Sequence, residues 1–341
     1  MSLVSVIVPT FNRAHCLARA IDSALAQSHG DLEILIIDDG STDGTQALIR
    51  DRYGRDSRVR YIHQENQGVS AARNTGIRAS RGAFVALLDS DDVWRPWKLE
   101  IQLACFEFAP QVGMVWSDME AIDRDGRVTH PRFLRTMYSC WRHYPDPNRI
   151  FADAYDLEQI VPARAVEVAG DHFYAGDVFS QMIRGSLVHT STVVLRRERL
   201  EQVGLFNEQL KPAGEDFEFH LRTCHAGPVG FLDTVTIQYQ IGMEDRLTRP
   251  EHTLAVATNF LNTIEPFLRD HRAEIRLTKA DIRAVLAEAH HWIGEEQFGR
   301  GNHRDARQHL ARSLGYRFWQ GRVWALMAAS CLPARWFASR P

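Results

Sequence analysis

Residues 84–94 read FVALLDSDDVW, an apolar run from Phe84 to Leu88 that stops on Asp89, Ser90, Asp91 and Asp92. A short uninterrupted apolar run bounded by polar residues marks a strand buried on both faces. Alternate side chains of extended backbone point the same way, so the carboxylates of Asp89 and Asp91 converge just past the strand. Paired oxygen anions there suit a hard divalent cation, Mg²⁺ or Mn²⁺, that keeps positions open for phosphate oxygens. An isolated D-x-D is more often a solvated turn or a helix cap, so its meaning depends on what the rest of the chain places beside it.

The flanking sequence repeats the same plan. Val4 to Val8 is a β-branched run stopped by Pro9, and Leu17, Ile21 and Leu25 follow at helical spacing. Ile34 to Ile37 ends on the cluster Asp38 to Gly44, and Val59 to Ile62 precedes a helical stretch, Val69 to Ser80. Strands alternating with helices predict an α/β fold, a doubly wound and mainly parallel sheet flanked by helices. Ligands of such sheets sit beyond the carboxyl ends of the strands. Pro9 to Arg13, Asp38 to Ser41 and Asp89 to Asp92 all fall at that edge. After a helix through Leu99, Leu103 and Phe106 and a strand at Val112 to Trp116, residues 130–184 show no clear period. Thr192 to Leu195 and Val229 to Tyr239 then read as strands and Glu215 to Cys224 as a helix. From about Pro250 the pattern is helical in four stretches, broken near Arg272 to Thr278, Gly299 to Asn302 and Gly315 to Tyr316.

Composition excludes several classes. The 341 residues are 45% hydrophobic and 24% charged, an ordinary globular balance. A net charge of -3 gives no positive field to gather nucleic-acid phosphates, so no nucleic-acid partner is expected. Five scattered cysteines without a C-x-x-C pair speak against a disulfide framework or a zinc site, which points to a reducing compartment. No secretory signal opens the chain, and the apolar stretch Val323 to Leu332 is about half of the ~20 residues a spanning helix needs. A cytoplasmic protein is expected. Neither G-x-G-x-x-G after the first strand nor G-x-x-x-x-G-K-[ST] anywhere is present, so neither dinucleotide nor P-loop cradling explains the site.

Six segments in this order and spacing, VSVIVPTFN (4–12), IIDDGSTDGT (36–45), NQGVSAARNTG (66–76), LLDSDDVW (87–94), VGLF (203–206) and Glu215-Asp216, resemble the family 2 glycosyltransferases of the GT-A fold. The resemblance covers about residues 1–240. It implies transfer of a sugar, with inversion, from a nucleoside-diphosphate donor, most often UDP-linked, to an acceptor hydroxyl on a saccharide or lipid-linked saccharide, as in cell-surface polysaccharide synthesis, assisted by Mg²⁺ or Mn²⁺. On this reading residues 1–245 form the GT-A domain, with 1–125 the nucleotide-binding half and 126–245 the acceptor half, and 246–341 an all-helical appendage. Pro9, Thr10 and Asn12 would line the nucleoside pocket and Asp39 would bind the base. Arg73 would neutralise the diphosphate. Asp89 would contact ribose or metal and Asp91 would ligate the metal, with the role of Asp92 open. Glu215 and Asp216 match the acidic pair of the acceptor half, Asp216 as general base. Asp216 opens a helix, whose positive end favours negative charge.

The sequence departs from the family at Gln238-Tyr239-Gln240-Ile241-Gly242, where many relatives carry an aromatic-Arg-x-His element. Arg246 or Arg249 are stand-ins, although surface placement is the simpler reading of both. His189 either approaches the diphosphate or the acceptor or, the commoner fate of a lone histidine, is a packing residue, and Trp94 either stacks on an acceptor sugar or anchors the next helix. Three rival classes remain, one of them a membrane-surface adaptor that works through the helical tail. A nucleotidyltransferase would need a glycine-rich basic loop after the first strand, and Thr10-Phe11-Asn12-Arg13 has no glycine; a non-catalytic nucleotide-sugar scaffold would bind the donor without turnover. In the tail, Ile293-Gly294, Phe298, Gly301, Ala306 and Leu310 are spaced like one tetratricopeptide unit, which predicts a helical hairpin docked on the domain or on a second subunit. Beyond it, Trp319, Trp324, Trp336 and Phe337 lie among Arg317, Arg322, Arg335 and Arg340. That mixture suits either internal packing or the inner face of a membrane.

Overall fold

A computed structural model describes residues 2–242 and 250–331. The chain divides into two compact units, Met1–Gln209 with Glu215–Glu244, and Leu210–Gly214 with Asp245–Pro341. Arg246 and Arg249, and Arg335, Trp336, Phe337 and Arg340, lie outside the described residues.

The first unit is built on an 11-stranded sheet. Its strands are β1 (Val4–Thr10), β2 (Leu32–Asp38), β3 (Val59–His63), β4 (Phe84–Leu87), β5 (Val93–Trp94), β6 (Met114–Ile122), β7 (Val128–His130), β8 (Asp153–Asp156), β9 (His172–Gly176), β10 (Val194–Arg196) and β11 (Val229–Gln240). They lie in the order β3-β2-β1-β4-β10-β6-β11-β9-β8, with β5 on β11 and β7 on β6. The first four pair in parallel, as do β6 and β11. Every residue of β1, β2 and β4 is buried, in keeping with runs that carry no polar alternation. The register sets Thr10 opposite Asp38, and the Asp39 amide donates to the Thr10 carbonyl, so these loops leave the sheet at one edge.

Three features differ from the sequence expectations. Pro9 does not stop β1 but lies inside it, paired with Ile37. Its ring replaces an N–H on the β4 side, where β4 pairs only as far as Leu87 opposite Ile7, so no ladder bond is lost. The strand expected from Thr192 begins at Val194, preceded by a 3₁₀ turn over Thr190–Thr192. The stretch without period, 130–184, supplies the antiparallel edge strands β8 and β9 and short helical turns. Its Trp141 and Phe151 pack with Trp116 and Phe231 at ring separations of 5.0 to 6.2 Å, an aromatic core that needs no period.

The helix Val69–Ala79 reaches the sheet closely only because Gly76 has no side chain. A Cβ there would lie 2.5 Å from Ile7 Cγ2 and 3.2 Å from Ile37 Cγ1. Gly76→Ala is therefore expected to lower stability by about 1–3 kcal/mol, seen as a lower urea midpoint; an unchanged midpoint would refute the close approach.

The second unit holds the helices Thr253–Asp270, Lys279–Gly299, His303–Tyr316 and Gly321–Ser330. Ala257, Leu261, Ala289 and Ile293 form one apolar cluster, and Leu310, Leu314 and Val323 a second. Thr278 and Asp281 close a capping box at the start of the second helix. Gly294 lets that helix meet Leu310 of the next, and the two make the hairpin that the tetratricopeptide-like spacing predicts. None of the described helices is long and apolar enough to cross a membrane. Where the hairpin helices cross, His290 Nδ1 and His309 Nδ1 lie 3.0 Å apart. Burial, then His309 and Arg312, pull His290 down to about 4, and His309 is lowered too. The unfolded chain thus takes up protons first, so stability falls as pH drops from about 6.5 toward 4, by on the order of 3 kcal/mol from His290. Thermal melts should show this slope in the native chain and a shallower one in His309→Gln; identical slopes would dismiss the pair as its source.

Candidate active site

The acidic crevice is assembled by the direction of one strand. Because β10 runs antiparallel to β4, the residues that precede it arrive at the carboxyl end of β4. The Asp89 amide donates to Ser191 Oγ at 2.9 Å, which brings His189 beside Asp92. His189 Nε2 lies 3.4 Å from Asp92 Oδ2 and His189 Nδ1 lies 3.1 Å from the Tyr138 hydroxyl. The sequence singles out this histidine but favours packing, because a lone imidazole carries no spacing signal. Trp94, a candidate sugar platform, is buried: its Nε1 donates to the Ser191 carbonyl and its ring lies 4.3 Å from Lys98 Nζ.

Arg73 is not a surface residue of its helix. It is buried, donating from Nη2 to Asp89 Oδ1 at 2.9 Å and from Nη1 to Glu215 Oε1 at 3.0 Å, with the Phe206 ring 5.2 Å from its guanidinium. Each terminal nitrogen thus gives one N–H to a carboxylate, and Nε has no partner. Glu215 and Asp216 open the helix Glu215–His225, Glu215 buried and Asp216 half-buried, and the Asp216 charge acts on Arg73, His189 and Tyr138.

The electrostatics follow from this packing. Burial pushes Asp91 up to about 7, reinforced by Asp92 and Asp89 and eased by Arg13, whose Nη2 is 4.0 Å away. Burial and Asp216 push Glu215 up to about 7 against the pull of Arg73. Burial would raise Asp89, but Arg73 and His189 outweigh it and hold the group low. Burial disfavours charge on His189 as well, yet Asp92 and Asp89 win and raise it.

The nucleoside-side residues are placed as follows. Asp39 is buried and accepts from Gln64 Nε2, the Gln67 amide and the Gly68 amide at 2.7 to 3.0 Å. Thr10 ends β1 with its buried hydroxyl unpartnered. Asn12, at φ +53°, accepts from the Thr42 amide and donates its own amide to Ser41 Oγ, joining the loops after β1 and β2. Pro9 is buried in its strand.

For a divalent cation, ligand atoms of Asp89, Asp92 and His189 lie within 4.8 Å of one another, and the buried Asp92 Oδ1 has no partner. Hard oxygens with one imidazole suit Mg²⁺ or Mn²⁺. Of the expected pair, Asp89 belongs to this group, whereas Asp91 turns toward Arg13 and a cavity of about 180 Å³ lined by His15, Cys16, Arg19, Asp91, Arg124 and Gln240.

A parallel strand edge, with acidic loops facing a helix that begins on two acids, defines an α/β protein of the GT-A class. S. aureus TarS, solved with UDP-GlcNAc, shares this fold at TM-score 0.59 and 18% identity over 96% of this chain and 84% of that one. A mannosyltransferase from Pyrobaculum calidifontis, solved with GDP-Man and Mn²⁺, does so at 0.54 and 18% over 99% and 88%. Residues 5–160 match the glycosyl transferase family 2 model, and the chain carries a domain of that family. Over 137 residues it is 37% identical to the chondroitin synthase of Escherichia coli, a match that takes in 40% of this chain and 20% of that protein.

Replacing Arg73 by Met leaves two acids facing each other without a counter-charge. A loss of about 3–5 kcal/mol is expected, partly restored by adding Glu215→Gln. Urea denaturation of the single and double variants measures this, and strict additivity would show that the two side chains are not coupled.

Proposed function

We propose that the chain is an inverting glycosyltransferase that moves a sugar from a nucleoside-diphosphate donor, UDP-linked in the first instance, to a hydroxyl of a saccharide or lipid-linked saccharide. The observation that carries this is the meeting of the Asp89 to Asp92 loop with Glu215 and Asp216 through one buried guanidinium, inside a family 2 domain. TarS holds UDP-GlcNAc and the Pyrobaculum calidifontis mannosyltransferase GDP-Man, so the nucleotide is one variable of the test.

In this reading the base and ribose lie over the loops after β1 and β2, near Thr10, Asn12 and Asp39. A divalent cation held by Asp89, Asp92 and His189, with Asp91 as the further ligand that the sequence reading expects, would offset charge on the departing diphosphate. His15, Arg19 and Arg124, around the cavity beside Asp91, supply donors where the family's Arg-x-His element is replaced by Gln240. Asp216 takes the proton of the acceptor hydroxyl as its oxygen bonds to the anomeric carbon and the bond to the diphosphate oxygen breaks. Arg73 keeps Glu215 and Asp89 in place and acts as a positioning residue.

Diphosphate release from a panel of UDP-, GDP- and dTDP-sugars, with and without Mn²⁺, tests the reading. Asp216→Asn should keep donor affinity and lose roughly 10²–10⁴ in kcat. Asp91→Ala should lose metal-dependent donor binding. Donor binding without turnover would instead favour a scaffold, and unaltered rates in both variants would remove these assignments.

A further inference from the structure

The helical unit carries an exposed aromatic cluster that its own packing does not use. Phe318 and Trp319, in the turn before the helix Gly321–Ser330, are 56% and 86% exposed, and Trp324 on that helix is 42% exposed. Phe318 meets Trp319 and Trp324 edge-on at ring separations of 5.1 and 5.3 Å. Trp324 Nε1 donates to the Phe318 carbonyl at 3.0 Å. The rings therefore stand as one patch instead of as scattered side chains. The inward side of the same helix is already satisfied, since Val323 packs with Leu310 and Leu314, and Leu326 and Met327 lie against them. Contiguous exposed rings of this size mark an interaction surface.

Charge narrows the partner. Residues 306–331 contain Arg307, Arg312, Arg317 and Arg322 and no aspartate or glutamate, in a chain of net charge -3. Arg317 is exposed, and Arg322, bonded to Glu295, is still 72% exposed. Both flank the ring cluster in sequence. A second copy of this surface would bring like charges together, which costs energy. Indole rings settle at the level of lipid headgroups, and guanidinium groups bind the phosphates of an anionic leaflet.

We infer that Phe318, Trp319 and Trp324, with Arg317 and Arg322, form a docking surface for an anionic lipid bilayer. This surface shares no residue with the acidic crevice, and its test needs no sugar transfer. The full chain is sedimented with vesicles of phosphatidylcholine alone and of phosphatidylcholine with phosphatidylglycerol. Binding is expected to the second kind, weakened by salt and accompanied by a blue shift of tryptophan emission. Phe318→Ser with Trp319→Ser should abolish the shift and lower binding by roughly tenfold. Arg317→Gln with Arg322→Gln should lower it by at least about tenfold, with circular dichroism unchanged. No binding to either vesicle, equal binding to both, or ring-dependent self-association in light scattering would each overturn the inference.

Discussion

The crevice rests on one shared guanidinium. Arg73 bonds a carboxylate at the end of β4 and another that opens the helix Glu215–His225, 142 residues further along the chain. Neither acid is comfortable alone in this setting, because burial penalises each charge, and their like charges would drive the two elements apart. Bound to one cation they must come to the same place, and the Phe206 ring closes over it and keeps water off. That fixes where Asp216 stands, since it adjoins Glu215 in the first turn. The demand passes backwards to Gly76, three residues along the same helix. Only without a side chain there can the helix sit low enough on Ile7 for Arg73 to reach both partners.

The fold was legible where burial leaves a local trace. The strand runs of β1, β2 and β4, the helical breaks near Arg272 and Gly299 and the acidic loops after the strands were all readable, because a buried strand or an amphipathic helix writes its period into a few adjacent residues. The site was legible only as an inventory of acids. His189 had no neighbours to mark it, and its meaning comes from β10 running against β4, a fact of topology that no short window contains. That Arg73 is buried between two carboxylates was hidden for the same reason: its partner Glu215 is remote, and burial of a lone arginine is decided by that partner. Pro9 misled because proline is barred from strands only where its N–H would be needed, and β4 has ended there. Strands β8 and β9 were hidden among turns whose order comes from aromatic packing around Phe231.

Beside Asp91, residues from several elements line one cavity. Gln240 follows Tyr239, where the resemblance leads one to expect an arginine, and its side-chain oxygen accepts from Arg19 Nη1 at 3.2 Å, Arg19 coming from the first helix of the chain. Arg124, from the turn between β6 and β7, reaches the same cavity. Positive charge is thus present beside Asp91, contributed by elements that share no motif with β11.

What this arrangement demands of a ligand follows from its charges. Among the described residues, Asp89, Asp91, Asp92 and Glu215 are paired with Arg73, His189 and the more distant Arg13. Asp91 and Glu215 already sit near 7 because burial and neighbouring acids resist a second and third negative charge. An anionic diphosphate entering such a crevice would meet the same resistance, and protonating the carboxylates would remove the very groups meant to organise it. Added positive charge at the orphaned Asp92 oxygen and beside Asp91 resolves both difficulties at once, since it displaces the protons and attracts the phosphates. The acid-rich loop, with the unpartnered Asp92 Oδ1 at its centre, is therefore chemically suited to a bound cation.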